Sequence, residues 1–154
     1  MSVTITKESP VGDDLTLLFE RHTADMHADT PPESIHMMDS AQLAIPQVHF
    51  FVAREQGVPL AMGAFKTLSD RQGEIKSMHV LAEARGRGLS KSMLTHVEKQ
   101  ARALGLTRLS LETGVQPTFV AARALYEKAG YQLCGPFEGY SEDPNSLFMT
   151  KELL

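Results

Sequence analysis

Residues 85–91, Arg-Gly-Arg-Gly-Leu-Ser-Lys, form a turn whose composition suits the binding of an anion. A strand-like run from Ile75 to Leu81 precedes the turn, and a periodic segment predicts a helix after it, from about Leu89. The first N–H groups of a helix have no partner inside it, and the helix dipole places partial positive charge there. Gly86 and Gly88 would let a phosphate approach the backbone. This spacing therefore favours a phosphate-binding loop.

Two common nucleotide-binding patterns do not match this turn. The Walker A pattern requires Gly-Lys-Ser/Thr, whereas Lys91 follows Ser90. The dinucleotide fingerprint G-x-G-x-x-G would put its third glycine at Lys91. Glu112 lies where that fingerprint expects an acidic residue, but only 42 residues follow it, too few to complete a doubly wound domain. A plain glycine turn between strand and helix is the alternative to a phosphate site.

The composition is that of a globular protein of 154 residues, with 42% hydrophobic and 22% charged residues. This length predicts a single domain over residues 1–154. The net charge of −4 disfavours nonspecific binding to nucleic acid or a membrane surface, although the turn itself is basic. The single Cys134 permits no internal disulfide. Without a signal-peptide or membrane-spanning pattern, we expect a soluble cytoplasmic protein.

Hydrophobic periodicity predicts the element order β-α-α-β-β-β-α-β-α-β-β. The segment 74–112 reads as one βαβ unit, so its two strands should be parallel. In the helix after the turn, an apolar stripe runs from Leu89 to Leu104, and Gly105 follows it as the expected C-terminal stop. Gly63, inside a strand, indicates a bulge or a close backbone approach. The fold class is α/β (α+β), a mixed sheet flanked by helices.

A second pattern lies at residues 118–131, T-F-V-A-A-R-A-L-Y-E-K-A-G-Y. The chain resembles the GNAT superfamily of acetyl-CoA-dependent N-acetyltransferases in two motifs. Its turn is similar to the family's R/Q-x-x-G-x-G/A loop, with Ser90 in the last position. Its second pattern is similar to the family helix N-x-x-A-x-x-L-Y-x-x-x-G-F/Y, with Phe119 in place of Asn. The resemblance covers roughly residues 48–151 and looks closest to a small bacterial acetyltransferase subgroup. It implies a GNAT fold with about six to seven strands and four helices.

The resemblance implies acetyl-CoA as the acetyl donor and indicates where it would bind. Its pyrophosphate would contact the backbone of the turn, and its pantetheine arm would lie along the preceding strand. The implied cofactor-binding residues are Met78, His79, Val80, Arg85, Gly86, Arg87, Gly88, Leu89, Ser90, Lys91 and Phe119. An amide of Met78 or Val80 would serve as an oxyanion donor, an interaction that typically contributes about 3 kcal/mol. Tyr126 matches the family's general acid, and a core-packed tyrosine is the alternative.

The base that deprotonates the amine is less well defined than the acid. Glu112 ends the strand beside the site and ranks first, with a histidine or a water relay as alternatives. We expect Glu74 to be a solvated charge at a strand edge. His36 and Tyr140, in loops near the implied acceptor entrance, are candidate substrate contacts. The histidines His22 and His27 lack metal-ligand spacing with a third ligand, so no metal is expected.

These observations predict an N-acetyltransferase that transfers acetyl from acetyl-CoA to a primary amine by direct transfer in a ternary complex. The chain lacks an added domain for a macromolecule, which favours a small-molecule amine; a protein N-terminus or lysine is the other acceptor class. A non-catalytic acyl-CoA-binding or sensing module on the same fold is the alternative from another functional class. Homodimers are common in the family, but no segment here specifies an interface.

Overall fold

The protein folds around one seven-stranded mixed sheet, and the computed structural model describes residues 2–153. The strands follow the spatial order β1-β2-β3-β4-β5-β7-β6. Only the β4–β5 pair is parallel. The strands are β1 (Val3–Lys7), β2 (Val48–Glu55), β3 (Val58–Thr67), β4 (Gln72–Val80), β5 (Arg108–Gly114), β6 (Gln132–Cys134) and β7 (Ser146–Glu152). The predicted order of helices and strands along the chain and the parallel βαβ unit are confirmed.

Four α-helices connect the strands, together with short 3-10 turns at residues 13–15, 32–34, 82–84 and 117–119. Asp39 begins the short second helix with a capping box, in which its side chain accepts from the Gln42 amide and the Gln42 side chain accepts from the Asp39 amide. The helices are α1 (Thr16–His27), α2 (Ser40–Leu43), α3 (Leu89–Ala103) and α4 (Val120–Lys128).

Two apolar cores cover the two faces of the sheet. Alternate residues of β2 point to opposite faces, so Phe50 packs with the α1 and α2 side while Phe51 packs with the α3 and α4 side. The α3 stripe is buried as predicted through Ala101. Leu104 was expected to continue this stripe but is 51% exposed, because α3 ends at Ala103 and the chain turns away.

A buried polar cluster joins α3 to the far edge of the sheet. The Tyr131 hydroxyl donates to Glu98 Oε2 at 2.8 Å, and Lys151 Nζ donates to both Glu98 carboxylate oxygens at 3.0 and 3.1 Å. Because Tyr131 and Lys151 both donate to the Glu98 carboxylate, the cost of burying its charge is offset. Within residues 2–153, no helix is long and apolar enough to cross a membrane.

Candidate active site

The site lies where β4 and β5 separate. Their parallel register comprises only Gln72 with Arg108, Gly73 with Leu109 and Glu74 with Ser110. Beyond Glu74 the two strands are not paired, while β5 continues its pairing with β7 up to Gly114. A cleft with a cavity volume of about 110 Å³ opens between them. One edge of β4 therefore has backbone groups available to a ligand in an extended conformation.

A β-bulge bends β4 inside this cleft. Ser77 adopts a positive φ of 57°, and the register against β3 shifts between Met62 and Ala64. Gly63 lies opposite, where a Cβ would come within 2.6 Å of Met93 and 2.7 Å of the Met78 sulfur. The bulge and close approach expected at Gly63 are confirmed. Ser77 and Met78 both line the cleft, so the bulge re-aims the backbone of β4 at the site.

The glycine turn at the end of β4 presents a row of free backbone donors. Gly86 and Gly88 have φ values of 82° and 76°, and a Cβ at either would meet nothing within 4 Å. Ser92 donates the first hydrogen bond of α3, to the Gly88 carbonyl at 3.0 Å. Among the described backbone hydrogen bonds, none is donated by residues 86–91. With the positive end of the α3 dipole, these amides can hold a phosphate group.

The two arginines of the turn are already paired with carboxylates. Arg85 Nη2 lies 3.3 Å from Asp25 Oδ2, and Arg87 Nη2 lies 2.5 Å from Glu55 Oε2. Both arginine side chains are more than two-fifths exposed, so each ion pair contributes little to stability. The backbone amides, rather than the guanidinium groups, are therefore the uncommitted donors of the turn. Lys91 lies exposed beside them at the start of α3.

Tyr126 reaches the cleft from the last turn of α4. Its residue is 6% exposed, and its ring packs edge-on against Tyr131 with centroids 5.6 Å apart. No described group hydrogen-bonds its hydroxyl, whereas the Tyr131 hydroxyl is bound to Glu98. Burial raises the pKa of Tyr126 well above its usual value, so the hydroxyl stays protonated at neutral pH. Tyr126 can therefore act as a proton donor.

Phe119 lies against the end of β5, in the 3-10 turn before α4. A Cβ on Gly114 would come within 2.4 Å of the Phe119 ring, so the ring sits directly on the glycine backbone. Phe119 and Tyr126 line the same cleft. The structure thus places these two residues of the second motif in the lining of one cleft.

Glu74, Tyr140 and His36 contact one another in another part of the cleft wall. Tyr140 donates to Glu74 Oε2 at 2.5 Å, and its ring packs edge-on against His36 with centroids 5.1 Å apart. The expectation that Glu74 is a solvated edge charge is wrong, since it is only 5% exposed. Tyr140, from the loop before β7, binds its carboxylate in the folded chain. His36 and Tyr140 lie together at the cleft, and their contact with a substrate stays a prediction.

Glu112 projects into the same cleft from β5. Burial raises the pKa of Glu112, and the nearby charge of Lys76 opposes this only in part. A carboxylate with a raised pKa can take up a proton near neutral pH more readily than an ordinary one. Glu112 is thus brought to the position from which an amine could be deprotonated.

Lys76 is the residue that sequence reasoning missed. Its side chain is 12% exposed, and Nζ contacts Glu74, the Tyr140 hydroxyl and the His36 carbonyl. The signal that could have found it is a lysine inside a predicted strand, between Ile75 and Leu81. A buried cation is costly unless it is paired, so such a lysine indicates partners from elsewhere in the chain.

The His79 side chain packs against α1. Its ring lies 5.3 Å from that of His22, and its Nδ1 is 3.8 Å from Asp25 Oδ2. Its Nε2 is buried without a hydrogen-bond partner among the described residues. Within the same residues, no group of three or more His, Cys, Asp or Glu side chains is arranged to hold a metal ion.

The chain is similar to known acetyltransferases in sequence and in fold. The model of the Acetyltransferase (GNAT) family matches residues 16–131. The chain is 44% identical over 146 residues to YsnE, an uncharacterized N-acetyltransferase of Bacillus subtilis, covering 92% of this chain and 97% of that protein. It is 42% identical over 157 residues to the IAA acetyltransferase of Azospirillum brasilense, covering 99% of each. The PaiA N-acetyltransferase of Thermoplasma acidophilum, solved in complex with coenzyme A, has the same fold at 17% identity, with a TM-score of 0.76 and 99% of each chain covered.

His22 provides a test of the packing between α1 and β4. Burial lowers the pKa of His22 from 6.5 to about 4. In the unfolded chain His22 therefore takes up a proton near pH 6.5, whereas in the folded chain it does so only near pH 4. We expect the free energy of unfolding to fall as the pH drops from 6.5 to 4, by up to about 3 kcal/mol from this residue. Urea denaturation at a series of pH values measures it.

The matched variant is His22→Gln, which removes the titrating ring. Because burial also lowers the pKa of His79, His49 and His96, only the difference between the two pH profiles belongs to His22. The variant should lose less stability on acidification than the parent. Parallel profiles would contradict the neutral, buried state of His22.

Proposed function

The chain belongs to the GNAT acetyltransferase family, and we propose that it transfers the acetyl group of acetyl-CoA to the primary amine of a small molecule by direct transfer in a ternary complex. One observation carries the proposal: a single cleft contains the bulged backbone of β4, the Tyr126 ring and the Glu112 side chain. The relative named IAA acetyltransferase supports a small molecule as the acceptor class.

The residues of the turn fit the donor substrate. The amides of residues 86–91 donate to no described backbone carbonyl, and the space over Gly86 and Gly88 is open. These amides would hold the pyrophosphate. The unpaired edge of β4 at Met78, His79 and Val80 would take the extended pantetheine arm as an added strand. Bound there, acetyl-CoA supplies an acetyl group activated as a thioester.

The side chains around the bulge would handle the protons. Glu112 would accept the proton of the incoming ammonium, so that the neutral nitrogen can form the new C–N bond. A β4 amide, of Met78 or Val80, would stabilise the negative charge that develops on the carbonyl oxygen. Tyr126 would donate its proton to the sulfur atom as the C–S bond breaks. Tyr126 then regains a proton from solvent and Glu112 returns its own.

Tyr126→Phe tests the general acid and separates an enzyme from an acyl-CoA sensor. We expect kcat to fall about 100-fold or more, because the thiolate would leave unprotonated. The dissociation constant for acetyl-CoA, measured by calorimetry, should not change. Tyr131→Phe is the matched control, since it removes a buried hydroxyl that is bound to Glu98 outside the cleft. It should lower stability and keep kcat. A parent protein that binds acetyl-CoA but acetylates no amine would favour the sensor.

Gly88→Ala tests the phosphate site. The residue has a φ of 76°, where an alanine costs about 1–2 kcal/mol of strain, and its Cβ would occupy the open face of the turn. We expect acetyl-CoA to bind about tenfold more weakly or worse. Gly57→Ala has a similar φ of 79° and equally open surroundings in the β2–β3 turn. It should lose similar stability without losing acetyl-CoA affinity. Equal losses of affinity in both variants would contradict the site.

Glu112→Gln tests the base through the pH dependence of kcat at saturating amine. A protonated carboxyl cannot accept a proton, and burial raises the pKa of Glu112 above its ordinary value of 4.5. The activity of the parent should therefore fall as the pH drops through this raised value. In the variant, kcat should be lower than in the parent at pH values above this pKa, and the acidic limb should be absent. An unchanged limb in the variant would assign the proton transfer to another group.

A further inference from the structure

The three N–H bonds of the Lys76 ammonium all have acceptors inside the protein. Nζ lies 3.2 Å from Glu74 Oε2, 3.2 Å from the Tyr140 hydroxyl and 3.3 Å from the His36 carbonyl. Tyr140 can accept from Lys76 because its own proton goes to Glu74. An ammonium has three donors, so Lys76 has none left for a substrate.

Glu112 is the remaining formal charge on the wall of the cleft. Glu74 and Lys76 form an ion pair and cancel, which leaves the single negative charge of ionised Glu112. No described lysine or arginine forms an ion pair with Glu112. The side chain is partly buried, so an opposite charge beside it is screened weakly by water.

Most of the other side chains that line the cleft are apolar or aromatic, and Ser77 and Thr113 are polar but uncharged. Met26, Met37 and Phe119 line the cleft together with the Tyr140 ring, and Phe137 and Phe148 pack behind that ring. Thioether and aromatic side chains adapt to an apolar body and form favourable contacts with it. The surroundings of Glu112 therefore suit a molecule that is uncharged apart from its amine.

We propose that the Glu74–Lys76 ion pair is the specificity determinant of the acceptor site, which selects a singly charged amine on an apolar or aromatic body and rejects acceptors that carry a carboxylate. The proposal rests on the proposed function. A second carboxylate in the cleft would be desolvated beside Glu112 and Glu74, while the nearby cation is fully engaged. A polyamine would bring further ammonium groups against Lys76 and the apolar wall.

The test compares 2-phenylethylamine with phenylalanine, which has the same ring and amine and one added carboxylate. Release of the CoA thiol at saturating acetyl-CoA gives kcat/KM for each amine, and spermidine serves as the polycation. We expect the parent to prefer 2-phenylethylamine over phenylalanine by at least about 100-fold, mainly through KM. Spermidine should be a poor substrate.

Two variants shift this preference in opposite directions. Glu74→Gln keeps the shape of the side chain but leaves Lys76 uncompensated, so the preference should shrink by about tenfold or more. Lys76→Met leaves Glu74 uncompensated, so the preference should grow. Glu127→Gln, on the exposed side of α4, is the matched control and should not change it. A purely structural role would lower the rates for both amines and leave their ratio constant. Thermal unfolding checks that each variant is folded.

The outcomes separate the two proposals. Equal or better use of phenylalanine by the parent would overturn the specificity inference, as would a ratio that neither variant changes. Binding of acetyl-CoA is measured separately by calorimetry, without an amine. A protein that binds acetyl-CoA and acetylates only carboxylate-bearing or polycationic amines would keep the proposed function and lose this inference. A protein that binds no acetyl-CoA would overturn the proposed function itself.

Discussion

Parallel pairing between β4 and β5 stops after Glu74, and the rest of the site depends on this early end of the ladder. Each strand is still held on its other edge, β4 by β3 and β5 by β7, so the sheet opens without losing either half. The bulge at Ser77 then turns the β4 backbone, and Gly63 provides the space in which Met78 and Met93 pack behind it. Unpaired backbone groups that were buried would be costly, but these groups face a cleft that a ligand can enter.

Two buried tyrosines, 5.6 Å apart between ring centroids, illustrate how the fold assigns different tasks to one residue type. Tyr131 donates its hydrogen bond to Glu98, whose charge is also paired with Lys151. Its hydroxyl is thereby committed to joining α3 to the edge of the sheet. The Tyr126 hydroxyl has no such partner among the described residues and borders the cleft. The same aromatic packing fixes both rings, so the difference in hydrogen bonding leaves only Tyr126 free to donate a proton.

The features predicted from the sequence are those that short stretches of chain determine. The turn at residues 85–91, the stripe of α3 and the position of Tyr126 on α4 depend on neighbours within a few turns of helix, and the structure contains each of them. The misjudged features depend on distant segments. Glu74 reads as an edge charge until Tyr140, 66 residues away, covers it. Two of the three partners of Lys76, the His36 carbonyl and the Tyr140 hydroxyl, also come from distant segments of the chain. The β4–β5 ladder likewise ends at Glu74 although β4 continues to Val80 and β5 to Gly114, and strand propensity gives no sign of this.

The proposed donor and the proposed acceptor are likewise recognised by different parts of the chain, the donor by one continuous turn and the acceptor by distant segments. Backbone amides of one continuous turn face the proposed donor, and side-chain substitutions there leave those amides in place as long as the positive φ angles are kept. Side chains from β4, β5 and two loops face the proposed acceptor; the charges of Glu74 and Lys76 cancel within β4, and Glu112 keeps its own. A single change at Glu74 or Lys76 would alter the net charge of that wall without touching the turn. The architecture therefore allows the choice of acceptor to change independently of the binding of the donor, because different kinds of atoms perform the two tasks.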